Sequence, residues 1–276
     1  MMQNGGFVLG GVSAKELGII MISSSRRPIL PSTVDRTMAI PGRHGAWDFG
    51  ADLGPRQFEL DCALIEQDAV SLQLAVERVA TLLLDKHGRP RELTLTLDIR
   101  PERSYTVRYV GSLDIERIIG LGRFTLPLVA YDPYSYAGIT DYDEGPYKYN
   151  TGLKYNTGLR YPNPTGFNWR YGQQHSSLYN HSPLVTPLIV TIAGSVSGVK
   201  ITNRTNGRSM TLTTTLSGQT LVIDGAKATI TRNGANAMSG LVAGDFVQLE
   251  PGANQLVFEG GAPNATVTFG WRHRFL

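Results

Sequence analysis

The chain has 276 residues, 41% hydrophobic and 18% charged, the proportions of a folded protein rather than a disordered one. No apolar run approaches the roughly 18 residues that cross a bilayer as a helix, and the only cysteine, Cys62, excludes a disulfide framework and any multi-cysteine zinc site. Of the net charge of +3, residues 1–137 carry 15 Lys+Arg against 16 Asp+Glu, residues 138–165 carry 3 against 3, and residues 166–276 carry 8 against 4. That is too sparse for a nucleic-acid footprint, so neither a membrane nor sequence-specific nucleic acid is an expected partner.

Residues 1–11 lack a basic stretch followed by an apolar one, so no secretory signal is expected there. With 31 glycines and 15 prolines, many short strands fit better than long helices. Residues 7–9 and 17–22 read as short strands, and 37–40 lead into the turn-rich Pro41-Gly42-Arg43-His44-Gly45. Residues 56–64 alternate polar and apolar, as a half-buried strand does. The period then changes: Leu72, Ala75, Val76, Val79 and Leu83 predict an amphipathic helix, with Asp68 as its cap and Gly88 and Pro90 as its stop. Alternation returns over 92–99 and 104–110, joined by a hairpin connection at 100–103. In the strand 123–130, Pro127 cannot donate to a ladder and predicts an edge or a bulge. One helix on antiparallel strands gives an α+β first domain over 1–137.

Residues 138–165 read as a linker or arm. Here Lys148-Tyr149-Asn150-Thr151-Gly152-Leu153 recurs as Lys154-Tyr155-Asn156-Thr157-Gly158-Leu159, with a degraded third copy from Arg160. Two intact copies are too few for a solenoid. Tyr149, Tyr155 and Tyr161 are candidates for an arm that packs on a neighbouring subunit; a duplication in a tolerant linker leaves the same trace. From 166 to 276 the pattern is all-β. Eight strand candidates (187–192, 199–203, 209–213, 220–224, 227–231, 246–249, 254–258 and 265–269) are punctuated by Asn206-Gly207, Asp224-Gly225, Asn233-Gly234 and Pro251-Gly252, which describes a sandwich or jelly roll.

Chemistry is mostly absent from the pattern. There is no phosphate loop, dinucleotide fingerprint or nucleophile elbow. His44, His87, His175, His181 and His273 are scattered without metal-ligand spacing. Cys62 lies in an alternating strand and reads as a small buried hydrophobe. Asp141, Asp143 and Glu144 cluster in the linker, while Asp224 and Glu250 hold turn positions. No catalytic residue, metal site or cofactor is expected, so an enzyme is not. The aromatics Trp169, Tyr171 and Trp271 are candidates for stacking on a sugar, against the competing role of capping a sandwich core.

Several stretches together resemble the siphophage distal tail proteins. In the first domain they are Ile40-Pro41-Gly42-Arg43-His44-Gly45-Ala46-Trp47-Asp48-Phe49-Gly50, the strand–helix–strand block 56–99, Ser104-Tyr105-Thr106-Val107-Arg108-Tyr109-Val110-Gly111, and Arg123-Phe124-Thr125-Leu126 running into Tyr131-Asp132-Pro133-Tyr134. In the second they are Leu249-Glu250-Pro251-Gly252-Ala253-Asn254-Gln255-Leu256-Val257-Phe258 and the closing Trp271-Arg272-His273-Arg274-Phe275-Leu276. The resemblance implies a mostly-β fold: an α+β ring-forming domain, built as a barrel or sheet with one helix, then a galectin-like β-sandwich. It further implies a non-enzymatic virion protein of the tail tip, made in the host cytoplasm, whose copies form a hexameric ring. The implied neighbours are the major tail protein, the tape-measure protein, the tail hub protein, and receptor-binding or baseplate proteins. A glycan-binding adhesion module of the tail tip and another baseplate ring component are the competing readings.

Overall fold

The computed structural model describes residues 6–22, 25–138 and 166–276. The chain divides into two compact units, residues 1–136 and 137–275. The sequence repeat, with Tyr149, Tyr155 and Tyr161, lies outside the described residues.

In the first unit, apolar residues at every second position make strands that each bury one face. Its elements are β1 (Phe7–Leu9), β2 (Val12–Ser13), β3 (Ile19–Met21), β4 (Thr33–Met38), β5 (Trp47–Leu53), β6 (Arg56–Ile65), α1 (Ala69–Leu83), β7 (Glu92–Leu97), β8 (Ser104–Tyr109), β9 (Ile115–Ile118), β10 (Leu121–Ala130) and β11 (Ser135–Ala137). Seven strands form an antiparallel sheet in the order β2-β1-β7-β8-β10-β6-β3, and β9 pairs with β10. The end strands β2 and β3 are joined by only residues 14–18. Backbone bonds from Ala14 N–H to Phe7 O and from Ile19 N–H to Ala14 O, each 2.8 Å, tie that turn back. The sheet therefore curls. Phe58, Leu60, Cys62 and Leu64 of β6 and Phe124, Leu126, Leu128 and Ala130 of β10 line its concave side at 5% exposure or less.

The helix seals this core with Leu72, Ala75, Val79, Leu82 and Leu83. Asp68 caps it, its Oδ1 accepting from Ser71 N–H at 2.7 Å, and this backbone hydrogen bond holds the carboxyl below its ordinary pKa. The helix stops at Leu83, earlier than Gly88 and Pro90 predict. Asp85 Oδ1 accepts from His87 N–H and Arg89 N–H, so a side-chain-organised turn ends the helix before either breaker is reached. β10 is a central strand rather than the edge that Pro127 suggests. It pairs with β6 along its whole length, but with β9 only over 121–124 and with β8 only over 128–129. The proline falls in the gap between those two pairings, where no ladder donor is missed.

The second unit holds β12 (Gly166–Trp169), β13 (Gln173–Asn180), β14 (Thr186–Pro187), β15 (Ile189–Asn203), β16 (Ser209–Asp224), β17 (Thr229–Arg232), β18 (Ala235–Asn236), β19 (Leu241–Gly244), β20 (Gln248–Leu249), β21 (Gly252–Gly270) and β22 (His273–Phe275). The strands expected as separate pairs, such as 187–192 with 199–203 and 254–258 with 265–269, are largely the two halves of continuous strands. β15, β16 and β21 run 15, 16 and 19 residues; β15 lies between the other two along its whole length, while β16 and β21 each change their outer partner halfway. β21 pairs with β13 over 252–259 and with β12 over 265–268; β16 pairs with β19 over 210–212 and with β17 over 221–224.

The bends fall at register breaks in β15 around 194–199, at Gly218 in β16 and at Gly260-Gly261 in β21. Gly194 is required where it stands: at φ +136° its Cβ would lie 2.4 Å from Asn264 O. The bent sheet thus forms two layers around one core. Ile192, Ile201, Met210, Leu221, Ile230, Leu256, Phe258 and Val267 are buried in it at 1% exposure or less. A mostly-β protein of two β units, one carrying the helix, is what the sequence predicts.

Candidate assembly surface

Between β3 and β6 the chain leaves the curled sheet. Among the described residues β4 and β5 pair only with each other, and all 13 of their residues are exposed. Cross-strand partners share a face, so the register assigns the side chains. The pairs Val34↔Asp52 and Met38↔Trp47 lie on one face, and Thr33↔Leu53, Asp35↔Ala51 and Thr37↔Asp48 on the other. A register shift between Asp35 and Thr37 sets Arg36 against two residues, Phe49 and Gly50. Gly50 accommodates this bulge at φ +90°, and Phe49 stays on the face of Trp47. One face of the hairpin is therefore Val34, Met38, Trp47 and Phe49 around the Arg36–Asp52 ion pair; the other is mostly Thr and Asp.

Such a two-faced ribbon normally lies on a core, yet among the described residues of the unit nothing covers this one. Trp47 is 48% exposed and Phe49 64%. The Arg43 guanidinium sits 4.2 Å from the centroid of the Trp47 ring, a contact of about 0.5–1 kcal/mol at an exposed site. A two-stranded ribbon is marginal by itself in water.

Its root, in contrast, is fixed. Arg56 is 3% exposed and donates to Pro28 O at 3.0 Å, to Ile29 O, to Pro133 O at 3.5 Å and to the Tyr105 hydroxyl at 3.1 Å. Among the described residues it has no carboxylate partner, so this buried cation is solvated by the backbone of the segment that leads into the hairpin. Gly54 N–H donates to Ser32 O at 2.7 Å and clamps the other side of the root. Arg56→Met removes the donor to two or three carbonyls and is expected to cost about 2–4 kcal/mol. It should also speed tryptic cleavage at Arg26 and Arg36 severalfold while the helix stays protected. Unchanged cleavage would mean that the root is held by other contacts.

The residues singled out in the sequence are placed differently. Trp169 is fully buried, packed edge-on to Phe258 at 5.7 Å with its Nε1–H donating to Tyr171 O at 2.8 Å. Trp271 is 5% exposed. Neither indole offers an open face to a sugar, which corrects that expectation: in a sandwich whose sheet folds over itself, the large rings fill the interior. Tyr171 is 72% exposed, a single ring without the other two.

The fold does bring His181 and His273 together, with ring centroids 5.3 Å apart. His273 Nδ1 lies within hydrogen-bond distance of His181 N and Asn180 Oδ1, at 3.3 and 3.2 Å. Among the described residues, no three His, Cys, Asp or Glu side chains gather as a metal-holding group. Burial, helped by the charge of Asp61, pushes the Cys62 thiol up to about 12, which leaves it unreactive at neutral pH. Asp224 accepts from Ala226 N–H and Lys227 N–H in its turn.

Residues 13–130 match the family described as phage tail protein RIFT-related domain, and residues 182–275 match the siphovirus-type tail component, C-terminal domain. The chain belongs to the siphovirus distal tail protein family. The first match runs from β2 to the end of β10 and so includes the exposed hairpin; the second covers the sandwich from just before β14 to β22. The distal tail family consists of structural components, and the chain is accordingly a tail-tip part of a siphophage virion. Among solved structures, SPP1 Dit, described as a paradigm of the hub adsorption apparatus in phages infecting Gram-positive bacteria, aligns with a TM-score of 0.68 and 15% identity over 99% of each chain. A chain of the phage p2 baseplate, in its activated conformation with strontium, aligns over 97% of each chain at 9% identity and a TM-score of 0.45. The first of these likenesses supports the two-unit fold. No curated protein matches the chain.

Proposed function

We propose that copies of this distal tail protein close into a hexameric ring that joins the tail tube to the hub, with the second unit of each copy docking receptor-binding or baseplate components. The protein acts by assembly and carries out no chemistry. Its neighbours are the major tail protein, the tape-measure protein and the tail hub protein. One observation carries this reading: a hairpin with a sorted apolar face stands on a fixed root with none of the described residues of its own unit beneath it. An exposed apolar ribbon of this kind is a hazard in a lone subunit and an interface in an assembly. Rotational symmetry supplies the partner, since a heterologous contact repeated around an axis closes a ring and leaves no ribbon uncovered.

The test is the mass of the purified protein by light scattering, with negative-stain images of the same sample. Six-membered rings with an open centre are the expected result. A monomer at every concentration, with and without added tail-tube protein, would overturn the ring.

A further inference from the structure

A ring built from heterologous contacts needs two different surfaces on each copy, a donor and a seat. The hairpin supplies the donor. The seat has to be found elsewhere on the same unit, apolar, exposed and matched in charge.

One such surface is written in the register of three adjacent strands. Leu121 of β10 lies opposite Ile65 of β6 on one side and opposite Ile118 of β9 on the other. The three side chains form a row across the convex face of the sheet, with strands about 4.8 Å apart. They are 39%, 62% and 67% exposed, and Ile119, at the tip of the β9–β10 turn, is 81% exposed. Four aliphatic side chains in water at one end of a sheet are unusual by themselves.

The backbone makes the fourth more so. Ile119 has φ +51°, a left-handed conformation that a β-branched residue adopts only under strain and that Gly or Asn adopts easily. A turn selected for folding alone would not keep isoleucine there. The adjoining outward row has Glu116 of β9 opposite Arg123 of β10, both exposed. Among the described residues neither makes an ion pair. The apolar face of the hairpin carries one base and one acid at its centre, Arg36 and Asp52. Both surfaces thus carry one acid and one base beside an apolar set: Val34, Met38, Trp47 and Phe49 on the hairpin, and the aliphatic row on the sheet.

We propose that the Ile65–Leu121–Ile118 row, with Ile119 at its tip, is the seat that receives the apolar face of the 33–53 hairpin from a second copy of this chain. This rests on the ring reading above and specifies which surfaces meet in it.

The test pairs two variants. Phe49→Cys with Ile118→Cys in one chain, under mild oxidation, is expected to give a ladder of covalent multimers ending at the closed ring on non-reducing gels. Native Cys62 is left in place, because it is buried and unreactive. Phe49→Cys with Thr94→Cys, which puts the second thiol on β7, is expected to give no ladder. Ile119→Gly relieves the turn and removes the side chain. It should hold or raise the melting temperature while lowering the ring population at least tenfold, an opposition that a misfolded variant cannot produce. Rings of normal mass with no Phe49–Ile118 ladder, and full assembly of Ile119→Gly, would overturn the seat and leave the ring standing. Monomers throughout, with no ladder, would overturn the ring and the seat together.

Discussion

Asn254→Ala is expected to destabilise the sandwich by about 3 kcal/mol, the largest effect of any single polar substitution proposed for this unit. Asn254 is fully buried and all of its amide is used. Its Oδ1 accepts from Glu250 N–H at 2.9 Å and from Asn203 Nδ2 at 2.9 Å, and its Nδ2 donates to Glu250 O at 2.8 Å and Gly252 O at 3.0 Å. One side chain thus closes the Pro251-Gly252 turn upon itself and stitches it to the end of β15. Asn203 keeps its bond to Gln248 O, but Glu250 N–H and two carbonyls lose a partner where water enters poorly. Two or three such losses at about 1–3 kcal/mol each, partly offset by relaxation, give the figure.

With a urea slope of about 2 kcal/mol per molar for a domain of this size, the midpoint should fall by roughly 1.5 M. The fluorescence of the buried Trp169 and Trp271 reports it. A shift below roughly 0.3 M would mean that the turn forms without the amide.

Replacing Trp47 and Phe49 together by serine is expected to have the opposite profile. Both rings are about half or more exposed, so the isolated subunit loses little and its melting temperature should move by no more than a degree or two. Assembly should be lost. Burial of each ring at an interface is worth roughly 1.5–3 kcal/mol, and the pair therefore shifts each junction by about 3 kcal/mol or more, a hundredfold or greater weakening. A closed ring repeats that loss at every junction, so light scattering should find monomers at concentrations where the unaltered protein is fully assembled. Normal rings from the double variant would remove the hairpin from the interface.

Much of the architecture was legible because it rests on local periods. The alternation over 56–64 and 123–130 and the 3.6 spacing from Leu72 to Leu83 are visible without any contact. The hairpin is not visible as such, although Val34, Arg36 and Met38 alternate with Thr and Asp, because residues 37–40 read only as a lead into the turn-rich loop 41–45. Its significance was beyond reach of the sequence in any case. An apolar face found in a strand pattern predicts a core, and only the structure can say that this face has none beneath it.

The indoles failed for the reciprocal reason: a Trp looks alike in a sequence whether it faces a ligand or fills an interior, and Trp169 fills one. The Ile118-Ile119 pair gave no signal, since exposure and a positive φ are properties of the folded turn. The register that sets Ile65 beside the local Ile118–Leu121 pair depends on β6 pairing with a strand more than fifty residues away.

The three bent strands of the second unit bear on how it comes apart. A sandwich assembled from separate hairpins can lose one sheet and keep the other for a time. Here β15, β16 and β21 each belong to both layers, so neither layer has a set of strands that it could keep. Opening one end withdraws the continuation of the three long strands that hold the other. Amide protons of Val190–Ile192 and of Val199–Ile201, on opposite sides of the bend, should therefore exchange through the same opening with the same free energy. Asn254→Ala, near only one of them, should lower both by an equal amount.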